Sequence, residues 1–339
     1  MSISIMSVER QKEHLLGVSR TFALTIPMLP EPIDDYISNA YLLCRIADTV
    51  EDDPVAEKNA KIAWLNSFSK LAKDRFSDDD LCQSLKDQAV LLCTDGAKKA
   101  EFDLLTEMVE TVKRCKSFDS RTVDIISRGV AIMAHGMAKS LAGIKIENLN
   151  DVDLYCYYVA GVVGEFLAAL FAAHNKEADA KKLMDLSVSF GEGLQLTNIL
   201  KDRFTDAKRG ASFLPPVKSV AEDTTQFYEY AALTKGHLED ALEFILTLPS
   251  KEKGIRQFCL LNICMAAATL KLMAKTQSSG SPLLKISRNR VKMLYVLTKV
   301  FSSIDFCCKF IFKICCFRDK SIKRDPLQLR NRVSCWDKQ

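Results

Sequence analysis

The chain has 339 residues, 48% of them hydrophobic and 27% charged, with a formal net charge of +4 at pH 7. A chain of this length buries a substantial core, as one large domain or two average ones, and the mixture of residues excludes intrinsic disorder. The small net charge gives no argument for nucleic-acid binding, because no basic stripe or aromatic-interleaved basic cluster stands out in roughly the first 280 residues.

In chain order, the opening run MSISIMSVERQKEHLLG has no apolar signal core, so secretion is not indicated. Pro27, Pro30, Pro32 and Pro54 punctuate the start, and the next prolines are Pro215 and Pro216. Proline costs about 3 kcal/mol inside a helix, so the stretch between suits a series of long helices. Ile37, Ala40, Tyr41, Cys44, Ala47 and Asp48 share one face by the three-and-four rule. The pair Asp95-Gly96 is a hairpin signal, but the residues after it do not read as a strand. Helices are predicted from Val152 to His174, Leu183 to Asp206, Gln226 to Thr247 and Lys253 to Lys275. The fold class is therefore all-α, with residues 1–300 as one helical domain and 301–339 as a basic, cysteine-containing tail.

Residues 293–317 are apolar but interrupted by Lys299, Asp305, Lys309 and Lys313. A spanning helix needs about 18 or more uncharged apolar residues, so a transmembrane anchor is disfavoured. Two readings remain: a basic amphipathic helix on an anionic membrane surface, or a last core helix followed by a loose, dispensable polar tail after Arg318. The twelve cysteines form no C-x-x-C, and the four histidines do not lie at zinc-ligand spacing. Reduced thiols in a cytoplasmic protein are expected.

Three constellations carry chemistry. In YLLCRIADTVEDD, residues 41–53, a helix places Tyr41, Arg45, Asp48 and Asp52 in one stripe. Carboxylates on adjacent turns repel, and a hard cation such as magnesium relieves that cost while bridging to substrate phosphates. Arg45 offers a planar fork for a phosphate. Two aspartates four apart occur on many acidic helix faces, so this motif alone is weak. In GEGLQLTNILKDRFTDAKRG, residues 191–210, Gln195, Asn198, Asp202 and Asp206 make a second stripe of oxygen donors inside an apolar run. Lys201, Lys208 and Arg209 add positive charge beside it. Two such faces suggest a clamp around magnesium and a diphosphate, as ionisation of an allylic diphosphate requires.

In DLYCYYVAGVVGEFLAALF, residues 153–171, Ala160, Gly161 and Gly164 would admit close approach of another helix or a prenyl chain. Tyr155 and Tyr158 are either core-edge tyrosines or, for one of them, a proton-handling hydroxyl. Gly191-Glu192-Gly193 is no dinucleotide fingerprint, since it lacks the third glycine and follows no strand.

The run Ser19-Arg20-Thr21-Phe22 and these three motifs follow one another in the order and spacing of squalene synthases, whose wider family also holds dehydrosqualene and phytoene synthases. Weaker similarity continues through Phe258-Cys259 and Lys285-Ile286-Ser287-Arg288, so the chain resembles that family over about residues 10–295. The resemblance implies a single helical bundle of the isoprenoid synthase type with a central prenyl cavity. It implies magnesium on Asp48, Glu51, Asp52, Asn198, Asp202 and Asp206. Diphosphate would meet Arg20, Arg45, Lys201 and Arg209. Catalytic roles would fall to Tyr155, which matches the proton-handling tyrosine, with Tyr41, Arg45 and the cation-facing Phe258. Two farnesyl diphosphates would join through presqualene diphosphate, and NADPH would reduce the product. With no Rossmann fingerprint, its extra phosphate would fall to the basic cluster of Lys285 and Arg288, with Arg290 and Lys292 close behind, after the Ser278–Pro282 loop; the other reading of that cluster is a solvated basic helix start. The alternatives are a dehydrosqualene or phytoene synthase ending without NADPH, a terpene cyclase using one substrate molecule, or a non-catalytic helical membrane-associated protein.

Two departures stand out. Thr205 lies where an acidic residue is usual, and Asn262 where a proline is common in eukaryotic relatives. The tail lacks the uninterrupted anchor of those relatives, which points to a bacterial-style soluble or peripheral enzyme; a monomer, cytoplasmic or peripheral on the inner membrane face, is expected.

Overall fold

The computed structural model describes residues 4–208, 210–276 and 285–338, and those residues contain helices and turns but no strand. Two compact units emerge. The first runs to Ile144 and takes back the chain from Cys335; the second is Lys145–Ser334.

The first unit contains α1 (Val8–Val18), α2 (Phe22–Thr25), α3 (Ile33–Asp52), α4 (Lys58–Lys73), α5 (Asp79–Leu92), α6 (Lys99–Thr106), α7 (Met108–Lys116) and α8 (Ser120–Gly143). Starts are marked by side chains that accept orphan N–H groups, such as Asp78 before α5 and Asp119 before α8. The face expected on α3 is only partly its core face: Ile37, Ala40 and Ala47 are buried but Tyr41, Cys44 and Asp48 are half-buried, and the fully buried Leu42, Leu43, Ile46 and Val50 lie on the opposite side, with α1, α4, α7 and α8 packed around the helix. The buried Lys61 of α4 locks the far end of α3. Its Nζ donates to the carbonyl oxygens of Glu51 (2.7 Å) and Asp53 (2.9 Å), so an ammonium meets the negative end of the helix dipole. A Cβ at Gly96 would strike the Asp53 carboxylate, so the turn after α5 also closes onto this end.

In the second unit, α9 (Leu149–Cys156) passes through a π-helical turn, Tyr157–Gly161, into α10 (Val162–His174). Then come α11 (Ala180–Lys208), α12 (Val220–Thr247), α13 (Lys253–Thr276), α14 (Arg288–Phe301), α15 (Asp305–Cys315) and α16 (Pro326–Val333). Helix α11 is central, touching α10, α12, α13 and α16. Its approach to α10 is set by glycine: a Cβ at Gly164 would meet the Ser187 carbonyl, and one at Gly191 the Ala160 carbonyl. The close partner of the small-residue face is thus a helix. Helix α13 runs unbroken through Asn262, whose amide donates to the Phe258 carbonyl at 2.9 Å. Leu149–His174 and Lys253–Thr276 are long and apolar enough to cross a bilayer, but 67% and 72% of their most apolar windows are buried, the pattern of core helices. The 293–317 stretch is not one helix, because it breaks between α14 and α15.

The chain after Arg318 is not the loose tail expected from its polarity. Lys235 Nζ donates to the carbonyls of Phe317 (3.2 Å) and Asp319 (2.6 Å), and Ile322 N–H donates to Ala232 O (3.0 Å). Arg324 grips the fully buried Asp153 with two bonds of 2.7 Å, and Arg332 binds the same carboxylate. Arg330 Nε (2.8 Å) and Ser334 Oγ (2.7 Å) donate to Glu165, whose other oxygen accepts from Tyr157 at 2.9 Å. Composition misleads here because each arginine's partner lies far away in sequence. Breaking a buried pair leaves an uncompensated charge and costs about 3–5 kcal/mol. Arg330→Met is expected to lower the unfolding free energy by about that amount in a denaturant titration, and adding Glu165→Gln to recover part of it. An unchanged midpoint in the single variant would show that the strap does not hold the unit.

Candidate active site

On α3 the expected stripe is present. Arg45 Nη1 donates to Asp48 at 2.6 Å, and its Nη2 pairs with Glu101 on α6. Tyr41 is largely enclosed, with its ring 5.0 Å from that of Phe22 and its hydroxyl bonded to Ser19. The Ser19–Phe22 run therefore lies against the stripe, with Arg20 exposed beside it. The Arg45 fork is already shared between two carboxylates, so receiving a phosphate requires exchanging one of them.

Charge is concentrated at the end of this helix. Burial, reinforced by repulsion from Asp52, pushes Asp48 up to about 6 despite Arg45. Burial and repulsion from both aspartates push Glu51 up to about 8. Lys61, whose Nζ donates to backbone carbonyls, pulls Glu51 down too weakly to cancel this. Here the chain leaves negative charge incompletely balanced.

On α11, Gln195, Asn198, Asp202, Thr205 and Asp206 line an open pocket of about 320 Å³, together with Ile199 and Phe213. Lys201 Nζ lies 3.1 Å from Asn198 Oδ1 and 3.0 Å from Asp202 Oδ2, so it places positive charge on this stripe. Phe213 sits in the segment after α11, where the Gln226 amide pins the Pro215 carbonyl at 2.9 Å. Its ring stacks on Tyr155, with centroids 4.6 Å apart and planes inclined by 16°. Tyr155 is thereby brought beside the acidic pocket. Tyr158 is buried against Tyr157, in core-like surroundings.

The donor sets fit magnesium: each stripe offers hard carboxylate or amide oxygens, and among the described residues no three His, Cys, Asp or Glu side chains converge to cage a metal unaided. Such a set leaves coordination positions to water and phosphate. Asp48, Glu51 and Asp52 would hold the ion on α3, and Asn198, Asp202 and Asp206 on α11. Thr205 lines the pocket but brings no charge. Phe258 is buried in α13, and no described contact joins it to Tyr155 or Phe213. Lys285 and Arg288 are exposed at the start of α14, away from every described contact of the acidic stripe. Arg209 and the Ser278–Pro282 loop lie outside the described residues. Sequence reasoning missed Phe213, Lys61, Glu101 and Tyr157. Of these, only Phe213 left a signal, an aromatic in the ASFLPP run directly after the acidic motif.

The profile of the squalene/phytoene synthase family matches residues 15–292. The chain is 29% identical to the squalene synthase of Eremothecium gossypii over 87% of its own length and 68% of that protein's. It is 26% identical to the squalene synthase of Candida albicans, over 94% of this chain and 73% of the relative. Its fold is shared with a solved complex of TcSQS with a ligand, at TM-score 0.75, 23% identity and 96% of each chain.

The raised carboxyls at the end of α3 make a prediction about stability. The folded state keeps protons on Asp48 and Glu51 that the unfolded chain releases near its ordinary values of 3.8 and 4.5. Stability from these groups is therefore full below those values and is lost as pH rises through about 6 and about 8. Without divalent ions, the unfolding midpoint should fall between mildly acidic and mildly alkaline pH, and magnesium should restore it at the alkaline end. Glu51→Gln should flatten the slope. An identical slope in that variant, with no response to magnesium in either protein, would rule out the unbalanced charge.

Proposed function

The chain belongs to the squalene/phytoene synthase family, and from that membership we propose that it is a squalene synthase, joining two farnesyl diphosphates head to head with magnesium and reducing the product with NADPH. The observation that carries this reading is the pair of oxygen-donor stripes on α3 and α11, with Tyr155 stacked on Phe213 at the edge of the second. Magnesium held by such carboxylates neutralises charge on a departing diphosphate. Arg45 turns its fork from a carboxylate to phosphate oxygens, and Arg20, Lys201 and Arg209 add charge there. The allylic cation left by the first farnesyl unit is attacked by the double bond of the second. Proton loss closes the cyclopropane of presqualene diphosphate, and the Tyr155 hydroxyl handles that proton, with Tyr41 placed near the diphosphate end.

In the second half-reaction Phe258 offers an aromatic face to the rearranging cation. NADPH supplies the hydride that ends the sequence, and we assign its extra phosphate to Lys285 and Arg288. Apolar helix faces exclude the water that would trap each cation as an alcohol. A monomeric, cytoplasmic enzyme with peripheral contact to the inner membrane face belongs to the same proposal.

Incubation with farnesyl diphosphate and magnesium, with and without NADPH, followed by mass analysis of the products, tests it. Squalene is expected with NADPH, and presqualene diphosphate or dehydrosqualene without it. Asp48→Asn and Asp202→Asn should each cut turnover by roughly a hundredfold or more while leaving the fold intact. Arg288→Ala should weaken the NADPH response and spare the first half-reaction. Dehydrosqualene or phytoene as the sole product at saturating NADPH would replace this reading with the carotenoid-type one.

A further inference from the structure

Seven large apolar side chains stand in solvent along one short stretch: Met293, Val296 and Val300 on α14, Ile304 in the connection, and Phe306, Phe310 and Ile314 on α15. Phe306 is 76% exposed and Val300 62%. Single exposed apolar residues are ordinary, but a run of them on consecutive helices is not. Spacings of three and four on α14, and of four on α15, gather them into one stripe per helix. Each stripe lies opposite the side packed into the core, which is Leu294 and Thr298 on α14 and Cys308, Ile311, Phe312 and Cys315 on α15. Lys292, Lys299, Lys309 and Lys313 are exposed beside the stripes. The one acid between Arg288 and Cys315 is Asp305, which is paired to the buried Arg256 at 2.5 Å.

We propose that α14 and α15 form a docking surface for an anionic lipid bilayer, lying in its interface with the apolar stripes sunk among the headgroups and the lysines on lipid phosphates. The helices have 14 and 11 residues, short of the ~20 needed to span, so they lie on the membrane and do not cross it. A second copy of the chain is a poorer occupant, because a two-fold contact would set lysine-flanked stripes against each other. Anionic headgroups complement those lysines. The surface rests on the peripheral membrane contact of the proposed function and gives it a site, while nothing in the docking requires turnover.

Flotation of the full chain with vesicles tests the proposal, using phosphatidylcholine alone and phosphatidylcholine with phosphatidylglycerol. Binding should favour the phosphatidylglycerol vesicles and weaken with salt. The double variant Lys309→Glu/Lys313→Glu should bind them at least tenfold more weakly, and Phe306→Ser/Phe310→Ser likewise. All four positions are exposed, so the unfolding midpoint and turnover in solution should stay unchanged, which separates this surface from the active site. Three outcomes would overturn the proposal. One is a wild-type protein that does not bind anionic vesicles, and another is binding of both variants at the wild-type level. The third is a solution dimer that Phe306→Ser/Phe310→Ser converts to monomer with no change in vesicle binding.

Discussion

Taking a carboxylate out of water costs several kcal/mol unless a cation and hydrogen bonds replace its hydration. The second unit is organised around that constraint. Asp153 and Glu165 are fully buried on the helices flanking the π-helical turn, and Arg324, Arg330 and Arg332 reach them from the end of the chain. Glu192 is buried close to Asp153, and burial together with that neighbour pushes its proton affinity well above that of an ordinary carboxylate. The C-terminal strap thus closes a charged core two residues before Tyr155. It fixes the end of α9, from which that tyrosine is presented.

The acidic stripes face the same constraint with a different solution. On α3, burial and neighbouring carboxylates leave Asp48 and Glu51 with raised proton affinity, although Arg45 pairs with Asp48 as well as Glu101 and Lys61 lies nearby on carbonyl oxygens. On α11, Lys201 covers Asn198 and Asp202. In the proposed reading a divalent ion and the phosphates it brings join these pairs. A structural salt-bridge network would be satisfied as completely as Asp153 is.

What was legible in the sequence was what is local. Helical spacing alone placed Tyr41, Arg45, Asp48 and Asp52 on one face, and the region read as helical from Leu183 to Asp206 is α11, Ala180–Lys208. Non-local pairings left no pattern: Arg324 and Asp153 are 171 residues apart, so the arginines after Arg318 looked merely solvated. Tyr157 and Glu165 meet across eight residues because a π-helical turn lies between them, which shifts the register that regular spacing assumes. Phe213 reaches Tyr155 through an irregular segment whose path no periodicity describes. The small residues around Gly161 were read as permitting close approach, but only the structure identifies α11 as the partner.

The central claim is that both stripes are finished by divalent ions shared with a diphosphate. Manganese binding followed by electron paramagnetic resonance, with and without inorganic pyrophosphate, measures this without any turnover. Pyrophosphate should increase the manganese bound by the wild-type protein, and Asp48→Asn and Asp202→Asn should each remove most of that increase. Manganese binding that ignores pyrophosphate, or that persists unchanged in both variants, would contradict the account.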